Sequence, residues 1–465
     1  MDIRDLGQLD PMVALRRLAG RPHVVFLDSA MRHEALGRWS FLACDPFAVF
    51  SVEGGRPSWN GTALDESPLA ALRRLLAKHR APGNPDLPPF QGGAAGYVGY
   101  DLGHRLEPHL PPPTGGGLGC PEAFLGFYDV VIAWDHVAGR CLLLSTGQPE
   151  RDPAQRHRRA GDRAEEALAR LRSPEPARRA ARTGALDWRS NFTSVSYRSA
   201  VERVIAAILD GDIFQANIAQ RFSAMLPGGF DPLAFYERLR HVNPAPFGAF
   251  LRLDDVTIAS SSPERFLACR DRRVETRPIK GTARRAADPA EDAARAAALM
   301  ASDKDRAENV MIVDLLRNDL SKVCRPGSIE VPILCGLESY ASVHHLVSVV
   351  TGTLAEGEDA VSLLGACFPG GSITGAPKIR AMEIIAEIER LPREVYCGAI
   401  GYIGFDGSMD TNIAIRTVTM KDGQATFHAG GGVTALSHPQ AEYEETLAKA
   451  QRLFAAFGAG EPDLP

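Results

Sequence analysis

Lysine is scarce in this chain: seven residues against 45 arginines in 465 positions. Where a positive charge is merely useful, arginine supplies it. A lysine inside a motif is therefore informative, because lysine can be neutralised by burial and can attack carbon, whereas arginine effectively cannot. The seven are Lys78, Lys280, Lys304, Lys322, Lys378, Lys421 and Lys449. Charge of one sign is also lacking. The 52 basic and 57 acidic residues leave a net charge of −5, which excludes the electrostatic footprint of a nucleic-acid-binding protein. Apolar runs are short, as in Val24–Leu27, far below the roughly 20 residues needed to cross a bilayer, so no membrane association is expected. The opening MDIRDLGQLD has no apolar stretch of the kind a secretory signal needs. The eight cysteines lie far apart with no CxxC, against both a zinc ribbon and a disulfide framework. A cytoplasmic enzyme is the expectation. Neither GxxxxGK[ST] nor GxGxxG occurs, and no repeat of solenoid spacing is present.

What is there suits a large globular protein, with 45% hydrophobic and 23% charged residues. Up to about residue 145, short strands at Val24–Leu27, Ala48–Val52, Gly92–Tyr100, Val130–Trp134 and Cys141–Ser145 alternate with turn residues. Leu69–His79 has helical spacing. Pro153–Leu171 reads as an exposed helix, and the Arg-, Ala- and Pro-rich 173–184 as a linker. Two units follow: 1–187, and 188–457, where motifs are dense. In the second unit helices are expected at Val195–Leu209, Ala290–Met300, Asp303–Leu316, from Pro377 to about Glu389, and at Glu442–Phe457. Gly398–Phe405 and Asn412–Met420 read as strands joined by an Asp-Gly turn. Strands and helices do not alternate regularly. The expected class is α+β, with large antiparallel sheets packed together and helices outside.

Two helices carry acidic pairs three residues apart, Asp305 with Glu308 and Glu442 with Glu445. Such pairs share a helix face. If the two faces meet, four carboxylates surround one point and call for a cation. An oxygen-only donor set suggests Mg²⁺. Solvated helix faces with ordinary ion pairs are the other reading. The stretches 370–385 and 428–439 are Gly-rich, suited either to tight turns or to close backbone approach to an anion. Glu264 and Lys280 are a candidate acid and nucleophile, or a surface ion pair. His344 and His345 are adjacent, so on a strand at most one faces any site.

Taken together, these stretches resemble the chorismate-utilising enzymes: anthranilate synthase component I, aminodeoxychorismate synthase component I, isochorismate synthase and salicylate synthase. The pieces are GDIFQANIAQRF (211–222), SSPERF (261–266), RPIKGT (277–282), DRAENVMIVDLLRNDL (305–320), VHHL (343–346), GSITGAPK (371–378), YCGAIGY (396–402), NIAIRT (412–417), AGGG (429–432) and EYEETLAKA (442–450). They occur in the family's order. The fold expected from the resemblance is that of anthranilate synthase component I. FLDSA (26–30), GRWSFLACDPF (37–47) and NPAPFGAF (243–250) resemble segments that line a tryptophan pocket in glutamine-dependent members. That would place Asp28, Ser29, Arg38, Ser40, Asn243, Pro244 and Phe247 around a bound tryptophan, with ordinary packing as the alternative.

Two positions discriminate within the family. Anthranilate synthases carry a small residue, usually alanine, in PIxGT, and aminodeoxychorismate synthases typically carry lysine. Here the residue is Lys280. Isochorismate and salicylate synthases use a lysine to activate water where this chain has Gln215. The resemblance therefore implies amination of chorismate at C4 with the enolpyruvyl group retained, and Mg²⁺ as cofactor. It implies Glu308 and Glu445 as metal ligands, with Asp305 and Glu442 acting through waters. Lys280 would be the nucleophile at C2, Glu264 the acid for the C4 hydroxyl and His345 its hydrogen-bonding partner. Arg416 and Tyr396 would bind the enolpyruvyl carboxylate. Lys449 and the backbone around Gly371, Ser372, Thr374, Gly375 and Gly430 would hold the ring carboxylate. Arg277, Arg284 and Arg285 are candidate cationic neighbours of Lys280. No GxCxG nucleophile motif is present, so a separate glutaminase chain is the expected ammonia source. Anthranilate synthase component I, a non-catalytic chorismate-binding subunit and a generic Mg²⁺ hydrolase are the competing readings.

Overall fold

The computed structural model describes residues 1–31, 36–107, 109–175, 186–340 and 343–458. Two twelve-stranded sheets form its centre. Along the first run Asp2–Gly7, Arg140–Ser145, Val130–Asp135, Trp39–Ala43, Val24–Asp28, Phe247–Leu253, Val256–Ser262, Thr417–Lys421, Gln424–Val433, Gln215–Met225 and Arg189–Ser190, with Gly375–Ala376 also against Gln215–Met225. Along the second run Ile279–Arg284, Val343–Thr353, Arg273–Arg277, Arg265–Arg270, Met409–Ile413, Ala399–Gly404, Gly93–Val98, Ala123–Tyr128, Ala48–Glu53, Arg56–Trp59 and Thr62–Ala63, with Glu330–Ser339 also against Val343–Thr353. The pairing is antiparallel, as expected.

The central strands of both sheets are buried on both faces, and residue alternation explains how. Ala95 and Tyr97 point between the sheets, against Val25, Ala249 and Ile400. Their neighbours Ala94 and Val98 point outward, under helices carrying Leu72, Val313 and Leu364. Phe26, next to Val25, likewise faces the outer core with Leu15, Phe235 and Phe454. A strand with both faces covered reads as a continuous apolar run, as Val24–Leu27 does. Strands from either side of position 187 share both sheets: Phe26 pairs with Phe250, and Gly96 with Gly401. The linker expected at 173–184 falls largely on residues outside those described.

Two expectations need correction. Helix Pro153–Leu171 is not simply exposed: Ala160, Ala164, Leu168 and Leu171 form a buried stripe facing the edge of the first sheet. Small alanines at i, i+4 spacing allow the close approach, and Arg159 and Arg163 reach past them to the buried Asp129. Asn412–Met420 is not one strand. Met409–Ile413 lies in the second sheet and Thr417–Lys421 in the first, with Arg416 between them at φ 50°. Among the described residues no helix is long and apolar enough to cross a membrane. All eight cysteines are free.

One buried ion pair ties the motif loop to the sheet beneath it. Arg393 donates from Nε to Glu389 Oε2 (2.9 Å) and from Nη2 to Glu389 Oε1 (2.6 Å). It also donates to the carbonyls of Ile373 and Asn217, and lies 4.7 Å over the Tyr100 ring. Arg393→Met should destabilise the protein by about 3–5 kcal/mol, because Glu389 is left buried without its cation. Urea unfolding at neutral pH measures this, and a change below about 1 kcal/mol would contradict it.

Candidate active site

The chain passes between the sheets at two adjacent places. One is Ser262–Arg265, leaving the first sheet, and the other is Ile413–Thr417, returning to it. The crossings are bonded to each other. Ser261 N–H donates to Arg416 O (3.1 Å), and Ile413 N–H to Glu264 O (3.1 Å). Glu264 and Arg416 therefore stand side by side, although 152 positions separate them in the sequence.

Glu264 is 5% exposed and accepts a hydrogen bond from Ser372 Oγ at 2.7 Å. Burial pushes its carboxyl up to about 7; Ser372, Lys280, the Ile279 N–H and Arg416 pull the other way and do not overcome it. Near neutral pH much of Glu264 therefore carries a proton. Arg416 is half-buried, and desolvation with Arg452 nearby lowers it to about 10. It remains a cation, and it is available to an anion entering the site.

Lys280 lies on the edge strand Ile279–Arg284, which Val343–Thr353 holds in register, Lys280 opposite Leu346 and Thr282 opposite His345. Its Nζ is 3.4 Å from Glu308 Oε1, and both side chains are only 12% exposed. The expected cationic neighbours turn elsewhere. Arg277 bonds Glu338, Arg285 bonds Asp292, and Arg284 is exposed. His344 and His345 point opposite ways, as a strand requires. His344 reaches Asp292 at 3.0 Å, whereas the His345 Nδ1 is 2.8 Å from Thr282 Oγ1. Burial, then Arg416, lowers His345 to about 4, so its imidazole is neutral near pH 7.

Helix Asp303–Ser321 brings Glu308, and helix Pro439–Ala456 brings Glu442 and Glu445, onto the glycines of Gln424–Val433. A Cβ on Gly432 would stand 2.7 Å from Glu308 Oε1 and 2.1 Å from Gln215 Nε2. A Cβ on Gly431 would stand 3.2 Å from Glu442 Oε2 and 3.6 Å from Glu445 Oε1. The AGGG stretch is thus a floor on which the acidic side chains converge, and a side chain at Gly432 would have to displace Gln215 and Glu308. Asp305 stands beside Gly281 in the same way. Lys449 Nζ donates to Gly430 O (2.8 Å) and pairs with Glu445 (2.7 Å). Gln215 is buried, with its Oε1 unpartnered.

These donors suit a hard divalent cation in kind. All are oxygens, and Glu442 is raised above the ordinary carboxylate range by burial, although Ser437 bonds it, with Glu445 adding repulsion. Partial desolvation opposes ionisation of Glu445 too, although its side chain is half exposed, but Lys449 holds it below that range. In arrangement they do not yet form a cage. Among the described residues no three acidic, histidine or cysteine side chains are grouped to grip a metal. Lysines stand on Glu308 and Glu445 instead.

The GSITGAPK stretch forms a short turn at Gly371–Ile373, a two-residue bridge at Gly375–Ala376, and then helix Lys378–Glu389. Thr374 Oγ1 donates to Gly370 O (2.8 Å). Gly375 has φ 145°, and a Cβ there would lie 2.1 Å from Gln215 O, so glycine is required. Tyr396 is buried and stacks on His428, with centroids 4.8 Å apart. Residues not singled out in the sequence complete the support. Asn309 Nδ2 donates to Leu346 O (3.3 Å), and Ser348 Oγ donates to Asn309 Oδ1 (2.5 Å), fastening the Glu308 helix to the His345 strand. Asp319 binds Lys378 at 2.6 Å, joining the same helix to the GAPK stretch. The scarcity of lysine pointed toward Lys378, but nothing in the sequence marked Asn309.

The proposed tryptophan segments also meet. Asp28 accepts from Arg240 Nε (2.6 Å) and Tyr236 OH (2.9 Å). Ser29 N–H donates to Ser40 Oγ (3.0 Å), and Asn243 Nδ2 to Ser261 Oγ (2.7 Å). Phe247 lies under Arg265. Arg38 is turned to Asp135, and Pro244 is exposed. The buried polar groups here thus have protein partners.

Comparison with known proteins gives a consistent picture. The family model for chorismate binding enzyme matches residues 23–455. Aminodeoxychorismate synthase component 1 of Escherichia coli (strain K12) is 42% identical over 443 residues, 94% of each chain. Anthranilate synthase component 1 of Pseudomonas aeruginosa is 37% identical, over 98% of this chain and 94% of that one. The crystal structure of anthranilate synthase component I from Streptococcus pneumoniae TIGR4 superposes with a TM-score of 0.79 at 34% identity, covering 90% of this chain and 92% of that one. This chain belongs to the chorismate-binding enzyme family, and its fold is that of anthranilate synthase component I.

Proposed function

We propose that this chorismate-utilising enzyme aminates chorismate at C4, yielding 4-amino-4-deoxychorismate, the precursor of 4-aminobenzoate and folate, with ammonia delivered by a separate glutaminase chain. The observation that carries this reading is the position of Lys280. In a chain that avoids lysine, it lies in the site, beside Glu308 and within the field of the buried acid Glu264. The names of relatives at 40–42% identity support the same choice.

Lys280, as the free amine, attacks C2 of chorismate. The ring double bonds shift, and the C4 hydroxyl leaves as water with the proton held by Glu264. His345, neutral and fixed by Thr282, is a hydrogen-bonding partner for that hydroxyl. Ammonia then adds at C4, the double bonds shift back, and the C2–N bond to Lys280 breaks. The net change exchanges hydroxyl for amine, with water released. Arg416 and Tyr396 bind the enolpyruvyl carboxylate. Lys449 and the amides around Gly371–Gly375 and Gly430 hold the ring carboxylate. Glu308 and Glu445, with Asp305 and Glu442 behind them, would hold Mg²⁺, which would supply positive charge toward the C1 carboxylate.

Mass spectrometry of the product tests this. Purified protein with chorismate, Mg²⁺ and ammonium should yield the mass of aminodeoxychorismate, and addition of a glutaminase subunit should let glutamine replace ammonium. Anthranilate with released pyruvate would overturn the reading of position 280.

A further inference from the structure

The scarcity of lysine and the geometry of the site meet at one carboxylate. Lys280 pairs with Glu308 in a buried place, while Lys449 pairs with Glu445 in an open one, where the two side chains are 43% and 52% exposed. A third lysine, Lys304, contributes its charge at Glu442 and Glu445 without an ion pair among the described residues. Three of the chain's seven lysines thus attend the acidic cluster. Glu308 Oε1 and the Gln215 amide both lie over Gly432, so close that a Cβ there would meet each of them at 2.7 Å and 2.1 Å. An ammonium and a divalent ion at contact distance on one carboxylate in a poorly solvated place repel strongly, so the two compete for it.

We propose that Glu308 serves two cations in turn: without a divalent ion it holds Lys280, and a divalent ion binds by taking that carboxylate and displacing the lysine. This rests on the reading of Glu308 as a metal ligand. Lysine suits the exchange better than arginine, because an ammonium makes a single point contact whereas a guanidinium grips a carboxylate with two parallel bonds. The exchange removes the partner of Lys280 in the same event that brings a cation to the site. Metal entry and release of the nucleophile are therefore coupled, and by linkage each favours the other.

Mn²⁺ binding to the full chain without chorismate, followed through the electron paramagnetic resonance of the free ion with Mg²⁺ as competitor, tests this. Lys280→Met should bind Mn²⁺ at least about tenfold more tightly than the wild type. Lys280→Gln should do the same, which also covers a failure of the methionine variant to fold. Lys280→Arg should bind no more tightly than the wild type. Lys304→Gln reports what a nearby unpaired charge is worth, and should gain less than about threefold because that side chain is exposed and screened. If Lys280→Met gains no more than Lys304→Gln, the lysine acts only as a distant charge and the exchange is overturned. Glu308→Gln separates the two levels. Should it leave Mn²⁺ affinity unchanged, Glu308 is not a ligand and the underlying reading fails as well. Should it abolish binding while Lys280→Met has no effect, the exchange alone fails.

Discussion

Lys280→Ala should lower the rate of 4-amino-4-deoxychorismate formation by about 10²–10³, measured with saturating ammonium so that ammonia delivery is not limiting. Without the amine, the proposed adduct at C2 cannot form, and ammonia must displace a poor leaving group from C4 directly. Alanine also leaves Glu308 without its partner at 3.4 Å. A hundredfold loss is about 2.7 kcal/mol of transition-state stabilisation, within the range expected of a nucleophile. Lys280→Arg should not restore the rate, because a guanidinium stays protonated and cannot attack carbon. Thermal unfolding of each variant should stay close to the wild type, which separates a chemical loss from a structural one. Turnover within about threefold of the wild type would remove Lys280 from the reaction path.

Glu264→Gln should lower kcat by about 10²–10⁴, the contribution of a positioned general acid, and should also change the shape of the pH profile. On the proposed mechanism the wild-type acid must be protonated. Burial raises its carboxyl to about 7, so activity should fall as pH rises through 7 and hold below it, until other groups titrate. The glutamine variant should lack that descending limb. Stability should respond with a related sign. The folded state binds the Glu264 proton more tightly than the unfolded chain, whose glutamate titrates at the ordinary value of 4.5. The stability this contributes is fully present below about 4.5 and is lost as pH rises through about 7, amounting to roughly 3 kcal/mol. Glu264→Gln should flatten that part of the stability–pH curve in urea titrations. A descending limb that survives in the variant would assign it to another group.

Much of the molecule was legible from local pattern, because local pattern has local causes. Apolar runs bounded by Gly, Pro and Asp became strands; Asp303–Ser321 and Pro439–Ala456 became helices whose i, i+3 spacing places Asp305 with Glu308 and Glu442 with Glu445. The opposed facing of His344 and His345 follows from strand periodicity alone. Where local pattern misled, a neighbour distant in sequence was responsible. Asn412–Met420 has the composition of one strand, yet the chain turns at Arg416 because its two ends pair with different sheets. Pro153–Leu171 looks exposed by its arginines, and only the sheet edge beneath it gives its alanine stripe a use.

The sequence by itself determined which chemical groups this enzyme has: a lysine where lysine is rare, acidic pairs at helical spacing, glycine floors, and motifs in the order of the chorismate-binding family. It could not say what each group touches. Arg277 and Arg285 are closer to Lys280 in sequence than Glu308 is, yet they face Glu338 and Asp292. That choice belongs to the tertiary structure, because strand register decides which way position 280 points and helix packing decides which carboxylate meets it. The proton on Glu264 has the same origin. A carboxylate has its ordinary affinity for protons in the unfolded chain. Only the crossing of two segments between the sheets removes it from water, and the cost of leaving a charge there is what keeps the acid ready to give its proton away.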